Sequence, residues 1–348
     1  MIMRWHVRYM KKTINHIGLL DCTLRDGGHV NNACFGSDAI IGITEGLAKS
    51  GIEFVELGFL KNGTFSVQQS LYNDVTEIYP TLPESYPCNF CVMIRPDWYD
   101  IRQLSNCDGR IGTIRFAFYN KDFDLLQKYG NIVRNKGYRF ICNPVHIMGY
   151  TNQELIELVK KINDLHPEQM TIVDTYGSMN LPDLERIYSL IENNLDKDIR
   201  IGIHLHENMS LAYGLAQEFI RIKPLSRCAI IDGSLYGIGR IPGNLCIEIL
   251  ANHFNSNDSA SYNTDIIYEL IGKYIEPIKK NIPWGYSPAY YMTAFLNMHR
   301  SYAEYLLKKQ ELSMPDIHTI LKSIDVSERK LFNEKYVTEL YNNYKKRS

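Results

Sequence analysis

The sequence has 348 residues, a formal net charge of -1, 45% hydrophobic residues and 22% charged residues. These values are typical of a globular protein that buries one large core or two smaller ones, and without a basic excess we expect no nucleic-acid partner. No apolar stretch reaches the roughly 18–20 residues that span a bilayer, so we expect no membrane segment.

Residues 1–15 are basic, and no apolar segment of a signal peptide follows them. We interpret them as a leader outside the fold, with Met10 as an alternative start and a mitochondrial-type address as the other interpretation. The eight cysteines are scattered through the chain, which indicates reduced thiols and a cytoplasmic location. Cys88 and Cys91 form a C-x-x-C without a second ligand pair, so we interpret them as structural thiols.

Short β-rich runs recur at intervals of about 30 residues, the length of a strand with its crossover helix. The runs are almost continuously apolar, which is typical of parallel strands buried on both faces. Eight runs are predicted as strands, at residues 16–20, 54–57, 90–94, 113–118, 139–142, 170–173, 200–204 and 228–231.

Helical patterns fill the intervals between the runs, for example from Ser37 to Ser50 and after Thr151. Eight β-then-α units in series predict an α/β fold, a (β/α)8 TIM barrel over residues 16–255. A doubly wound open sheet is the alternative, but the even spacing favours closure. Residues 256–348 have mainly helical periodicity and predict a helical C-terminal extension.

Chemically active side chains follow the predicted strands, where the active sites of such barrels lie. The first strand leads into DCTLRDGGH, residues 21–29. The seventh leads into HLHEN, where His204 and His206 are two residues apart and face the same side of a strand. Two imidazoles and a carboxylate form a common divalent-metal set, although a histidine pair of this spacing also occurs in ordinary cores.

Three further segments reach the same end of the predicted barrel. Glu56 lies in VELGF, and Asp174 and Thr175 lie in VDTYGSM. The glycine-rich segment IDGSLYGIGRIPGN ends at Asn244, near the start of a predicted helix whose N-terminus would attract an anion. The alternatives are buried carboxylates bonded to loop amides, and a glycine loop that only closes the barrel.

Taken together, TLRDGGH, VELGF, VDTYGSM, HLHEN and GIGRIPGN resemble the HMG-CoA-lyase-like superfamily of metal-dependent barrels, the DRE-TIM metallolyases. The resemblance is greatest to the 4-hydroxy-2-oxovalerate aldolase group. It implies a TIM barrel that makes or breaks a carbon–carbon bond through a pyruvate-type enolate, with a 2-oxo acid and an aldehyde as substrates. It also implies Mn²⁺ or Mg²⁺, while the donor set would accept Zn²⁺ or Co²⁺.

The resemblance assigns roles to individual residues. Asp26, His204 and His206 would bind the metal. Arg25 would stabilise the enolate, His29 would act as the base, and Thr175 would contact substrate. The remaining assignments are Glu56 as a catalytic group that orients its neighbours, Asn244 and Tyr286 as substrate-binding groups, and Asp21 and Asn208 as supporting residues.

The sequence departs from the aldolase group in VNNACFG and WGYSPAY. These departures argue against carrying over its usual substrate and its acylating aldehyde dehydrogenase partner. A homodimer or higher homo-oligomer is expected. The alternatives to an aldolase are a Claisen-type acyl-CoA enzyme of the same superfamily, a metal-dependent hydrolase, and an inactive barrel that serves as a binding module.

Overall fold

The computed structural model describes residues 17–85, 88–257 and 260–346, so the predicted leader lies outside the described residues. Eight parallel strands form a closed barrel, because the first strand pairs with both the second and the last. The TIM barrel predicted from the sequence is confirmed. Its strands are β1 (Ile17–Asp21), β2 (Phe54–Leu60), β3 (Asn89–Ile94), β4 (Ile111–Phe118), β5 (Arg139–Pro144), β6 (Gln169–Val173), β7 (Arg200–His204) and β8 (Ala229–Gly233).

Six of the connections around the barrel contain a long α-helix. These helices are α1 (Ser37–Ser50), α2 (Phe123–Asn135), α3 (Asn152–Leu165), α4 (Leu181–Asn194), α5 (Ala212–Ile222) and α6 (Ile247–Asn257). The prediction of eight complete β-then-α units was wrong at two places. In the described parts of the connections after β2 and β3, only 3₁₀ turns and a two-residue strand, Leu71–Tyr72, replace the helix.

The apolar character of the strands explains why the barrel is two-layered. Side chains on the outer face of the strands pack against the helices in one continuous core. A small separate cluster that includes Leu20, Phe54 and Ile230 fills the barrel interior. Two residues further along β2 and β8, on the same inward face, lie Glu56 and Asp232, so the interior changes from apolar to charged towards the carboxyl ends of the strands.

The C-terminal region is helical, as predicted. Its first part, α7 (Thr264–Leu270), a π-helical turn (Ile271–Ile275) and α8 (Glu276–Asn281), shares the core of the barrel. The later helices α9 (Pro288–Phe295), α10 (Ser301–Leu307), α11 (Met314–Lys322) and α12 (Glu334–Lys345) have a second hydrophobic core of their own. The domain boundaries at residues 15 and 255 remain predictions.

Hydrogen bonds attach this second helical cluster to loops at the carboxyl end of the barrel. The bonded pairs are Trp284 Nε1 to Tyr236 O (2.9 Å), Arg300 Nη1 to Ile241 O (2.8 Å), Ser178 Oγ to Asn297 Oδ1 (3.0 Å) and Tyr176 Oη to Lys330 O (2.6 Å). The loops after β6 and β8 are thereby covered on one side by the C-terminal helices.

Within the described residues, no helix is both long enough and apolar enough to cross a membrane.

Candidate active site

A cavity of about 90 Å³ opens where the strands end at the carboxyl face of the barrel. Its wall follows the alternation of side chains along a strand, in which residues i and i+2 share a face. Five pairs spaced in this way, each within a strand or reaching just past its last residue, line the cavity, namely Met93 and Arg95, Arg115 and Ala117, Asn143 and Val145, Val173 and Thr175, and His204 and His206. The first loop adds Arg25, Asp26 and His29 to the same wall.

Asp26, His204 and His206 are brought together although they lie far apart in the chain. All three are buried, and one donor atom from each lies within 4.8 Å of the others. Asp26 Oδ2 is 3.7 Å from His206 Nε2, and the two imidazole rings are 4.9 Å apart at their centroids. A carboxylate and two imidazoles at this separation match the donor set of a divalent cation.

The hydrogen bonds of His206 indicate which ring nitrogen faces the centre of this group. His206 Nδ1 lies 2.9 Å from the backbone oxygen of Asp174, so it is placed to donate to that oxygen. His206 Nε2 is buried and has no hydrogen-bond partner. A buried unpartnered nitrogen next to Asp26 is the feature expected of a residue that holds a metal ion, so the residues fit the group that the resemblance implies.

Arg25 is fixed between two carboxylates. Its Nε donates to Glu56 Oε2 at 2.7 Å, and its Nη1 forms an ion pair with Asp26 Oδ1. Burial opposes ionisation of Asp26, but the Arg25 guanidinium and the contact with His206 hold the pKa of this carboxyl well below its usual range. Asp26 therefore carries the negative charge that a metal ligand requires.

Arg115 continues this network across the barrel. It contacts Glu56 Oε2 at 3.1 Å and forms an ion pair with Asp232, whose Oδ2 is 3.2 Å from His204 Nδ1. Burial alone would raise the pKa of Asp232, but the positive charge of Arg115 holds it below its usual value. Burial lowers the pKa of His204. Asp232 therefore places an anionic carboxylate next to His204 Nδ1, on a residue outside the proposed ligand set.

The glycine-rich loop after β8 closes the site from the other side. Asn244 Nδ2 donates to Asp26 Oδ2 at 2.9 Å, while Asn244 Oδ1 is buried without a partner. A Cβ atom at Gly239 would lie 2.2 Å from Asn244 Nδ2 and 2.7 Å from Asp26 Oδ2. Only glycine allows the loop to approach the aspartate this closely.

His29 lies at the mouth of the cavity. Its Nε2 is 3.8 Å from Asp26 Oδ1, and its ring packs edge-on against Phe59 with centroids 6.0 Å apart. Burial lowers the pKa of His29, and the positive charges of Arg240 and Arg25 lower it further. The negative charge of Asp26 opposes this shift without cancelling it. The imidazole is therefore neutral near neutral pH, although 26% of the side chain is exposed.

The other predicted site residues occupy three kinds of position. Thr175 lines the cavity, and its Oγ1 accepts a hydrogen bond from the His146 backbone N–H at 2.6 Å. Asp21 lies beneath the first loop and accepts bonds from Thr23 N (2.9 Å) and Thr23 Oγ1 (3.0 Å), while burial raises the Asp21 pKa to about 7. Asn208 is buried close to Gly177.

Tyr286 lies away from this group. It is 60% exposed, does not line the cavity, and has its ring near Tyr291 at 6.3 Å. The WGYSPAY segment precedes and begins α9, so Tyr286 points into solvent on the C-terminal helices. The structure therefore gives the predicted substrate contact of Tyr286 no support.

Five further residues line the cavity without having been predicted as site residues, namely Arg95, Arg115, Asn143, Asp232 and Arg240. A signal was available for Arg115, because a charged side chain in the middle of a buried strand requires a partner of opposite charge. For Asp232 the signal was its place at the end of the last strand, where the barrel mouth lies.

Comparison with known proteins agrees with this geometry. The HMGL-like family model matches residues 120–270. The 4-hydroxy-2-oxovalerate aldolase of Bacillus thuringiensis is 23% identical over 275 residues, covering 77% of each protein. The oxaloacetate decarboxylase of Mycobacterium tuberculosis is 24% identical and covers 67% of this chain and 68% of its own length.

A solved structure shows the same fold. The N-terminal domain of a candidate aldolase from Bacteroides vulgatus superposes with a TM-score of 0.73 at 19% identity, covering 84% of this chain and 96% of that domain. Motif order, the family-model match over residues 120–270 and the relatives support a place for this chain in the HMGL-like superfamily of DRE-TIM barrels, close to its aldolase group.

Proposed function

We propose that this protein is a divalent-metal-dependent aldolase that cleaves a 4-hydroxy-2-oxo acid to pyruvate and an aldehyde, or catalyses the reverse condensation. The observation that carries the proposal is the buried group of Asp26, His204 and His206 beside the paired Arg25. Relatives named as 4-hydroxy-2-oxovalerate aldolases support the reaction type.

Asp26, His204 and His206 would hold the metal, and a bound divalent cation would supply Lewis-acid stabilisation of negative charge on the 2-oxo acid. Mn²⁺ or Mg²⁺ is our choice of cation. Asn244 holds Asp26 in place through its bond to Oδ2 (2.9 Å), and Asp232 orients His204. The fixed positions of these groups reduce the reorganisation needed when charge develops on the substrate.

Arg25 would place a permanent positive charge next to the oxygen that becomes negative as the carbon–carbon bond breaks. Glu56 holds its guanidinium at 2.7 Å, so the group is oriented before the substrate arrives. Because arginine stays protonated at all relevant pH values, it would stabilise the enolate without donating a proton to it.

His29 would remove the proton from the 4-hydroxyl during cleavage and return it during condensation. A neutral imidazole at the cavity mouth has a free nitrogen for this transfer, and histidine is the usual residue for such a step near neutral pH. Thr175 would contact the substrate at the opposite part of the wall.

The similarity to an oxaloacetate decarboxylase favours a second candidate reaction. Decarboxylation of oxaloacetate passes through the same pyruvate enolate, so it would use the metal-holding residues and Arg25 in the same way. It differs in that no proton needs to leave a 4-hydroxyl group, and His29 would then be dispensable.

The test uses the full chain, stripped of metal with EDTA and reloaded with Mn²⁺. Pyruvate is offered with a panel of aldehydes, and the 4-hydroxy-2-oxo acid product is detected by mass spectrometry. We expect Asp26→Ala and His204→Ala to lose bound metal and to reduce turnover on the order of 10³-fold, because both remove metal-holding groups. His29→Ala should reduce the rate roughly 10²–10⁴-fold and keep the metal.

A matched control is available in the exposed group of His166, Asp196 and Asp198, which also has metal-binding geometry. His166→Ala should leave metal content and turnover unchanged. Full activity in a metal-stripped Asp26→Ala protein would contradict the proposal. Turnover of oxaloacetate alone, undiminished in His29→Ala, would favour the decarboxylase instead.

A further inference from the structure

The cavity contains more positive charge than the proposed reaction uses. Four arginines line it, Arg25, Arg95, Arg115 and Arg240, against two lining carboxylates. The pairs described above account for Arg25 and Arg115, which share Asp26, Asp232 and the buried Glu56. The other two guanidinium groups have no part in that network.

Arg95 is paired, but with a carboxylate at the surface. Its Nε and Nη2 contact Asp97 at 3.0 and 2.7 Å, and the Asp97 side chain is 45% exposed. The Arg95 guanidinium also lies over the Trp98 ring, 4.1 Å from its centroid. Stacking keeps the group at the wall, while an exposed partner neutralises it only weakly.

Arg240 is the unpaired member of the set. Within the described residues its guanidinium has neither a hydrogen-bond partner nor an ion-pair partner, although the side chain is half-buried at the cavity wall. Its backbone N–H donates to Asp26 Oδ2 at 3.2 Å. The Arg240 backbone is therefore bonded to Asp26, a proposed metal ligand. The charge of its guanidinium is available to a bound substrate.

The C-terminal helices hold the loop that carries Arg240. Arg300 Nη1 donates to Ile241 O at 2.8 Å, which connects the C-terminal helices to the residue after Arg240. Burial, followed by the charges of Arg240 and Arg300, lowers the pKa of His299 to about 4. The charge of Arg300 is itself paired with Glu304 at 3.3 Å, and in the described part of the C-terminal helices no carboxylate pairs with Arg240.

We infer that Arg240, assisted by Arg95, binds an anionic group on the aldehyde half of the substrate, either a carboxylate or a phosphate ester. The inference rests on the proposed function, and it takes the carboxylate of the pyruvate half to lie beside the metal-holding residues. A second anion, separated from the aldehyde carbon by a short chain, would neutralise the Arg240 guanidinium, for which the described residues provide no partner. An arginine fork binds both kinds of anion through charge-assisted hydrogen bonds.

The test compares matched aldehydes in condensation with pyruvate and Mn²⁺. The pairs are propanal with succinic semialdehyde, and glyceraldehyde with its 3-phosphate. We expect kcat/KM of the wild-type protein to favour one anionic aldehyde over its neutral counterpart by roughly 10- to 100-fold, the usual effect of a charge-assisted hydrogen bond. Whether the carboxylate or the phosphate pair has the larger ratio identifies the anion.

Arg240→Gln should reduce this ratio to near one. Arg221→Gln is the matched control, because it removes the same charge from the exposed face of α5 and should keep the wild-type ratio. Equal ratios in the wild-type protein and Arg240→Gln would overturn the inference. It would also be overturned by a variant that only raises KM for pyruvate, since Arg240 would then bind the pyruvate carboxylate.

A binding measurement separates this inference from the proposed reaction. Calorimetry with glyceraldehyde 3-phosphate and with succinic semialdehyde, on Mn²⁺-loaded protein without pyruvate, should give tighter binding of one of them to the wild-type protein than to Arg240→Gln. If no aldehyde is converted but this difference is found, the aldolase proposal fails and the anion site stands. Equal binding of both compounds to the two proteins overturns the anion site.

Discussion

At the scale of single residues, the site depends on contacts around Asp26 that are too close for an added side-chain atom. Asp26 Oδ2 is contacted by the Asn244 side chain and by the Arg240 backbone, and Gly239 lies against both Asp26 and Asn244. The glycine-rich loop after β8, near the end of the barrel sequence, thus holds the carboxylate of Asp26, which follows the first strand. A side chain at Gly239 would therefore disturb the position of Asp26, a proposed metal ligand.

We therefore expect Gly239→Ala to weaken Mn²⁺ binding, because its Cβ would lie 2.2 Å from Asn244 Nδ2 and displace it from Asp26. Gly214→Ala is the control, since Gly214 lies in α5 with no atom within 4 Å of an added Cβ. That control should retain the metal and gain about 0.5–1 kcal/mol of stability from its helical position. Metal titration would check both, and unaltered Mn²⁺ affinity in Gly239→Ala would contradict the prediction.

At the scale of elements, local sequence signals determine where several helices begin. Thr151 precedes α3 and forms a capping box with Glu154, in which each side chain bonds the other residue's backbone N–H at 3.2 and 2.8 Å. The sequence predicted this helix start from Thr151 and the apolar spacing that follows. Capping chemistry is local, so it is readable without knowledge of the fold.

Thr151→Ala should lower the free energy of unfolding by about 0.5–2 kcal/mol, because the Glu154 backbone N–H at the start of α3 loses its acceptor. Thr151→Ser preserves the hydroxyl and should have a much smaller effect. Denaturant unfolding followed by circular dichroism would measure both changes. A loss of stability that is the same for alanine and serine would show that the cap is not the cause.

The missing helices after β2 and β3 show where element-level reasoning failed. Even spacing of the strand runs indicated a crossover of constant type, but spacing records only the length of a connection and not its conformation. The two connections contain 3₁₀ turns in their described parts. The second connection also supplies Trp98 to the cavity wall, so a segment expected to be structural contributes to the site.

At the scale of the whole molecule, the candidate metal site connects distant parts of the barrel. Asp26 follows β1, His204 is the last residue of β7 with His206 two residues beyond it, and Asn244 follows β8. All four meet at one end of a closed sheet. The C-terminal helices are bonded to the loops around this same end. A ligand bound at this point therefore stabilises the native state of the entire barrel.

We expect Mn²⁺ to raise the melting temperature of the metal-stripped protein. At a free concentration 100 times the dissociation constant, it should add about 2.7 kcal/mol to the free energy of unfolding, because the unfolded chain does not assemble the ligands. The gain should be absent from Asp26→Ala. Scanning calorimetry with and without Mn²⁺ would test this, and an equal gain in the variant would locate the effect at another site.

The sequence by itself determined the periodic strands, the barrel class, and the motifs that surround Asp26 and the histidine pair, because strand burial, helix capping and two-residue alternation are local properties. Tertiary structure decided which charges meet. Arg115 reaches Glu56 and Asp232 only because the barrel closes, and among residues 17–85, 88–257 and 260–346 the loops and helices around Arg240 provide its guanidinium with no partner. The exposed position of Tyr286 was likewise not readable from the sequence, since it depends on how the C-terminal helices pack and no local pattern specifies that packing.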